Sequence, residues 1–258
     1  MAGVSEDLSA RFAVLVERGP AGIPLDEAVL LVAAHAIPDL DLAAQQARLD
    51  DLAAGVRGPS IDALRAHLAD DLGFSGDRVT YHDAQNSLLP SVLDRRRGIP
   101  LTLAIVALEV GRRCEVPLVG IGMPGHFLVR AADDPRRFVD LFDGGVDLDP
   151  AGCRTIFERL RTGVPWDDRH LDPVDNLTIV ARLLANLANA YRRSGDAKAL
   201  AWVIDLRVRL PGASARDRRE LAVLLGAAGR YDEAAEHLEA TGAARDEATA
   251  ARLRARLN

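Results

Sequence analysis

The chain has 258 residues, 48% of them hydrophobic, which is enough to bury its own core in one large domain or two smaller ones. A formal charge of -6 and a pI near 5.5 exclude the basic footprint that a phosphate backbone selects, so no nucleic acid is expected as a partner, and Arg95, Arg96 and Arg97 are a local exception. No run reaches the roughly 18 apolar residues needed to span a bilayer, and the opening MAGVSEDLSARF lacks the basic-then-apolar order of a signal peptide, so a cytoplasmic protein without a membrane partner is expected.

In chain order, Leu25 to about Val56 shows helical apolar spacing (Leu30, Leu31, Ala34, then Leu40, Leu42, Ala43, Leu49, Leu52), broken at Ile37-Pro38. A second amphipathic helix runs from about Ser60, a candidate N-cap, to Leu72, with Gly73 as its stop. The stretch GFSGDRVTYHDAQNS reads as loop. Pro100 fits the first turn of the next helix, where its missing N–H is harmless. Leu101, Leu103, Ala104, Val106, Ala107, Leu108 and Val110 make that helix apolar on almost every face, which places it at a domain centre. VPLVGIGM, FLVR and FVDLF then read as short strands, with DDP as the turn between the last two, giving a small antiparallel sheet. From Gly152 the chain returns to helix, interrupted by a connector from Pro165 to Pro173. In the helical tail, Leu187, Ala188, Tyr191, Gly195 and Ala201 align with Leu221, Ala222, Leu225, Gly229 and Ala235 at one offset of 34 residues, the tetratricopeptide period.

Two residues stand out chemically. His126 follows a Pro-Gly turn and precedes an apolar strand, and Asp140 lies fourteen residues later inside the next apolar strand. A carboxylate flanked by Val139 and Leu141 needs a partner. If the two strands form a hairpin, Asp140 accepts a hydrogen bond from His126 and fixes its tautomer, the orienting half of a nucleophile-base-orienter triad. The third member would stand at the N-terminus of the apolar helix, where the dipole favours a thiolate. Ile99, Pro100, Leu101 and Thr102 stand there instead, and Thr102 offers only a hydroxyl. Each residue also has a plain structural role open to it, as a hydrogen-bonding histidine and a turn-capping aspartate. Cys114 sits at the helix's C-terminal end and Cys153 after a DPAG turn. They are too few for a disulfide framework, lack zinc-site spacing, and are read as reduced buried thiols. No metal or cofactor is expected. Arg95 and Arg97 either pair with acids such as Asp83 or Asp140 or bind an anionic ligand, Asn86 can brace the loop beside them, and Arg96 with Gly98 reads as a solvated turn whose glycine meets a backbone angle.

These residues carry a resemblance. The string N-S, R-R-x-G-I-P-L-T-L, P-G-H-F and D-x-F-x-G-G, together with PDLDLAAQQARLDDLA and LGFSGD, is similar to the transglutaminase-like proteins of the SirB type, bacterial proteins with a transglutaminase-like core and a C-terminal tetratricopeptide-like region. The resemblance implies an α+β fold with a papain/transglutaminase-like core, its central helix packed on a small antiparallel sheet, flanked by an N-terminal helical section and C-terminal helical repeats. The implied boundaries are 1–57, 58–170 and 171–258. The superfamily's histidine and aspartate fall on His126 and Asp140. Its cysteine position, aligned through Ala104, Arg112 and Pro117, falls at about Pro100, which has no nucleophile. The resemblance thus implies a degenerate, cysteine-less domain that binds a protein or small ligand in a relic cleft. The competing reading is a hydrolase or acyl-transfer enzyme acting on amides, with Thr102, water or metal-bound water in place of the thiol.

Overall fold

The computed structural model describes residues 2–20 and 22–256. Its first elements are α1 (Ala2–Val16), α2 (Leu25–Ala34), α3 (Leu42–Ala54), and α4 (Ile61–Arg65), which runs into a π-helical turn at Ala66–Asp71. Next come β1 (Ser75–Gly76), a 3-10 turn at Ala84–Ser87, α5 (Leu89–Arg95), β2 (Arg97–Gly98), α6 (Pro100–Arg113), β3 (Leu118–Ile121), β4 (Leu128–Ala131), β5 (Phe138–Asp140) and β6 (Val146–Leu148). The rest comprises α7 (Pro150–Leu160), a 3-10 turn at Asp168–Leu171, β7 (Pro173–Val174), α8 (Asn176–Ser194), α9 (Ala197–Val208), α10 (Ala215–Ala227), α11 (Tyr231–Glu239) and α12 (Ala244–Arg254). The chain divides into two compact units, Arg18–Leu183 and the remainder.

In the first unit α6 is the centre, as its sequence requires. Leu101, Leu103, Ala104, Ile105, Val106, Ala107 and Val110 are all buried, and α2, α3, α4, α5, β3 and β4 lie against it. A helix apolar on almost every face is stable only where it is covered on most sides. The main sheet is antiparallel throughout, in the order β6-β5-β4-β3-β7. A further apolar cluster of Ile121, Met123, Leu128, Phe138, Cys153 and Phe157 joins sheet residues to α7. The result is an α+β unit.

The helix starts obey the capping signals: Ser60 Oγ accepts from Ala63 N at 3.1 Å, and Pro100 occupies the first turn of α6. Acidic and basic groups also tie helices together. Asp26 on α2, Asp50 on α3 and Glu109 on α6 converge on Arg113, at 2.5, 2.6 and 2.5 Å, and Arg112 joins Glu109 at 2.9 Å. Asp26, Glu109 and the Arg113 side chain are buried, so the Arg113 pairs with Asp26 and Glu109 are held away from solvent, whereas Asp50 is exposed.

Three local expectations need correction. The stretch from Gly73 to Ser87 is not only loop: Ser75 and Gly76 pair in parallel with Arg97 and Gly98, and Ala84–Ser87 forms a 3-10 turn. The segment after it is helical, as α5, whose seven residues are too few to display a period and which carries a proline in its first turn. Gly98 does not serve a special backbone angle. The residue with positive φ is Arg96, at 53°, which caps α5, whereas a Cβ on Gly98 would lie 2.8 Å from Thr102 Oγ1 and 3.2 Å from Val92. Close approach, not φ, demands that glycine.

In the second unit α1 lies against α9, and α9, α10, α11 and α12 pack successively on their neighbours. Val203, Ile204, Leu221, Ala222, Ala234, Ala235 and Ala250 form its interior.

Candidate functional site

β3 and β4 are joined through Met123-Pro124-Gly125-His126, closed by His126 N donating to Met123 O at 3.0 Å. Proline second and a glycine third at φ +86° are the marks of a type II turn, a conformation that Gly125 adopts without strain. The turn delivers His126 beside the end of β5. Its Nε2 lies 2.7 Å from Asp140 Oδ2, with His126 8% and Asp140 2% exposed. Asp140 Oδ1 accepts the backbone N–H groups of Phe142 at 3.0 Å and Asp143 at 3.3 Å. An ionised carboxylate only accepts, so Nε2 must carry the proton shared with Asp140. Among the described residues His126 Nδ1 has no partner, and it is not sealed from solvent. The expected hairpin therefore brings the two residues together and leaves one ring nitrogen open.

The pair connects to the start of α6 through the β1 segment. Gly76 N donates to Phe142 O at 2.9 Å, and Asp77 N donates to Gly98 O at 2.9 Å. The Phe142 ring meets His126 edge-on at 6.1 Å and Tyr81 at 5.8 Å, and a Cβ on Gly76 would overlap that ring. Arg78 lies over Phe142 at 4.9 Å and pairs with Asp143 at 2.7 Å.

The other sequence candidates form a brace for this loop. Asn86 is 0% exposed; its Nδ2 donates to Thr80 O at 2.7 Å, and its Oδ1 accepts from Arg95 Nη2 at 2.7 Å. Arg95 also reaches Asp77 at 3.5 Å. Asp77, not Asp83 or Asp140, is thus the acid that meets Arg95. Hydrogen bonds from the Thr80 side chain and backbone, with lesser help from Asn86 and Val79, hold the Asp77 carboxyl down to about 2. Arg97 turns the other way, donating to Gly73 O at 3.0 Å and to Ser75 Oγ. Thr102 is 1% exposed, and its hydroxyl donates to Asn86 O at 2.6 Å while lying 3.2 Å from Ile99 N, which donates to it. That hydroxyl ties the Asn86 loop to the helix start.

Neither thiol is poised for ionisation. Burial first, then the nearby charges of Asp149 and Asp140, push Cys153 up to about 12, and burial also raises Cys114. Among the described residues no group of three or more His, Cys, Asp or Glu side chains is placed to hold a metal ion.

Sequence reasoning missed Tyr81, Phe142 and Arg182. Arg182, on α8, donates to Gly122 O at 2.5 Å, Met123 O at 3.1 Å and His126 O at 2.9 Å, and its guanidinium lies 5.1 Å from the Phe127 ring centre. An arginine inside the apolar stretch IVARLLANL was the available signal. Phe142 was signalled only by standing two residues after Asp140. Tyr81 carried no signal, because its place depends on the Asn86 brace.

The transglutaminase-like superfamily profile matches residues 34–185, more than half of the chain and all of the site just described. The chain is 38% identical over 183 residues to a UPF0162 protein of Xylella fastidiosa, covering 66% of this chain and 65% of that protein. It is 39% identical over 171 residues to UPF0162 protein PA3419 of Pseudomonas aeruginosa, covering 63% and 60%. It is also similar to human F-box only protein 21, 28% identical over 144 residues, covering 52% of this chain and 22% of that one. The chain thus spans slightly less than two thirds of the length of these two bacterial relatives. No solved structure matches. The profile match across the helix, the sheet and the His126–Asp140 pair makes this chain a member of the transglutaminase-like superfamily.

Proposed function

We propose that this protein is a transglutaminase-like domain without a nucleophilic cysteine, of the SirB type, which binds a ligand or protein partner in the cleft around His126 and Asp140. The observation that supports this is the start of α6, where buried Ile99, Pro100 and Leu101 bring no nucleophilic side chain, while His126 and Asp140 are hydrogen-bonded to each other. Both thiols present are shifted away from ionisation, which supports the same reading. The C-terminal helices offer a second contact surface as tetratricopeptide-like pairs, α8 with α9 and α10 with α11. This part of the reading is supported by the 34-residue offset and by Gly195 and Gly229 at φ 75° and 77° between the helices of each pair. The two free cysteines fit a cytoplasmic setting.

A second reading has one specific observation in its favour. With Nε2 held by Asp140, the open Nδ1 of His126 can accept a proton from water and activate it for hydrolysis of an amide. Purified wild type, His126→Ala and a Cys114→Ser, Cys153→Ser double variant, assayed side by side on amide, ester and amine-transfer substrates, separate the two. Silence in all three is the expected result. Turnover that survives the cysteine changes and disappears with His126 would replace the binding reading with the hydrolytic one.

A further inference from the structure

Two guanidinium groups flank the turn that carries His126. Arg182 grips it from α8 through the three carbonyls of Gly122, Met123 and His126. A guanidinium has five N–H groups, so Nε–H and one Nη1–H of Arg182 are left over. Arg161 approaches from the end of α7: a Cβ built on Gly125 would lie 3.5 Å from its Nε and 3.6 Å from Leu160 Cβ. Neither arginine has an acid within ion-pair distance among the described residues. Nearby charges are already engaged, Asp140 by His126 and Asp143 by Arg78. Burial lowers the pKa of Arg182, opposed by Tyr81, and the positive charge of Arg161 lowers it further.

This arrangement is unfavourable for the empty protein. Arg182 is partly desolvated, the like charge of Arg161 acts on it, and both sit beside a turn whose glycines at 122 and 125 leave no side chain in the way. In a chain of net charge -6, local positive charge without a compensating acid is a feature that an anion relieves. We propose that Arg161 and Arg182 form the anion-recognition edge of the His126 cleft and take a carboxylate or phosphate group of its ligand. The inference rests on the cleft being a ligand site, and it adds the ligand's chemistry. Arg161, exposed and with no side-chain hydrogen bond or ion pair among the described residues, makes the direct contact. Arg182 supplies charge while fixing the turn.

The test is an NMR titration of the full chain with glutarate, inorganic phosphate and the uncharged diamide glutaramide, following the His126 ring signals. Saturable shifts with glutarate or phosphate are expected, and which of the two acts identifies the kind of anion. Arg161→Gln should weaken that binding by about tenfold, whereas Arg159→Gln, which removes an exposed charge two residues earlier, should leave it unchanged. Because the Arg161 side chain holds no partner among the described residues, its variant tests the idea without endangering the fold, which Arg182→Gln does not guarantee. Shifts with glutaramide alone would overturn the anion edge and leave the cleft a ligand site. Equal weakening by both variants would reduce the effect to general electrostatics and overturn the edge as well. Silence with all three probes would overturn both the edge and the ligand site.

Discussion

Asp140→Asn has a definite structural consequence. Asp140 Oδ1 accepts two backbone N–H groups, from Phe142 at 3.0 Å and Asp143 at 3.3 Å, and only an oxygen can occupy that position. An asparagine must therefore place its carbonyl there and turn its NH2 toward His126, where Nε2 lies 2.7 Å from the present Oδ2. The imidazole is then obliged to accept at Nε2 and carry its proton at Nδ1, the reverse of the wild-type tautomer. One charge-assisted hydrogen bond is exchanged for a neutral one in a buried position, a loss of about 2 kcal/mol, which lowers Tm by about 4–8 °C in a chain of this size. Nitrogen-15 NMR of the ring reports the tautomer, and chemical denaturation reports the stability. A variant that keeps its neutral-ring proton on Nε2, or that unfolds at the wild-type midpoint, would refute the assignment of Asp140 as the orienting group.

Other outcomes follow from the same geometry. Glu109→Ala leaves Arg113 short of one of its two buried acid partners, with Asp26 still in place, and should cost about 1.5–3 kcal/mol in urea denaturation. Gly76→Ala drives a methyl into the Phe142 ring, and the loss should be about 1–3 kcal/mol, with a change in the aromatic signals of Tyr81. Cys153, held near 12 by burial, should resist iodoacetamide at pH 8 in the native protein and react once denaturant is added, as quantified by mass spectrometry. Asp77 has its folded pKa depressed to about 2, so its contribution is complete above the usual carboxylate range and declines as pH falls toward 2. Acid titration followed by circular dichroism should therefore show a smaller loss of stability below pH 4 in Asp77→Asn than in wild type.

The strongest sequence signals were those in which local pattern and tertiary demand coincide. The run from Leu101 to Val110 is apolar on almost every face, with Thr102 and Glu109 its two polar residues, so its composition called for burial at the domain centre, and Pro100 fitted the first turn of that helix. Pro124-Gly125 fixed the turn that presents His126, and an aspartate between Val139 and Leu141 required a partner, with a histidine one hairpin away able to supply it. What the sequence could not supply was anything resting on contacts between distant segments. The two-residue strands at Ser75–Gly76 and Arg97–Gly98 have no periodicity to read and exist because their backbones meet. The partner of Arg95 is Asp77 because Asn86 folds the loop back between them, and Gly98 is a glycine because Thr102 and Val92 crowd it. Arg182 reaches the His126 turn across 56 residues of chain, a closeness that no local rule encodes. Period and capping depend on neighbours along the chain, whereas the charges and rings around His126 depend on neighbours in space, and only the fold decides those.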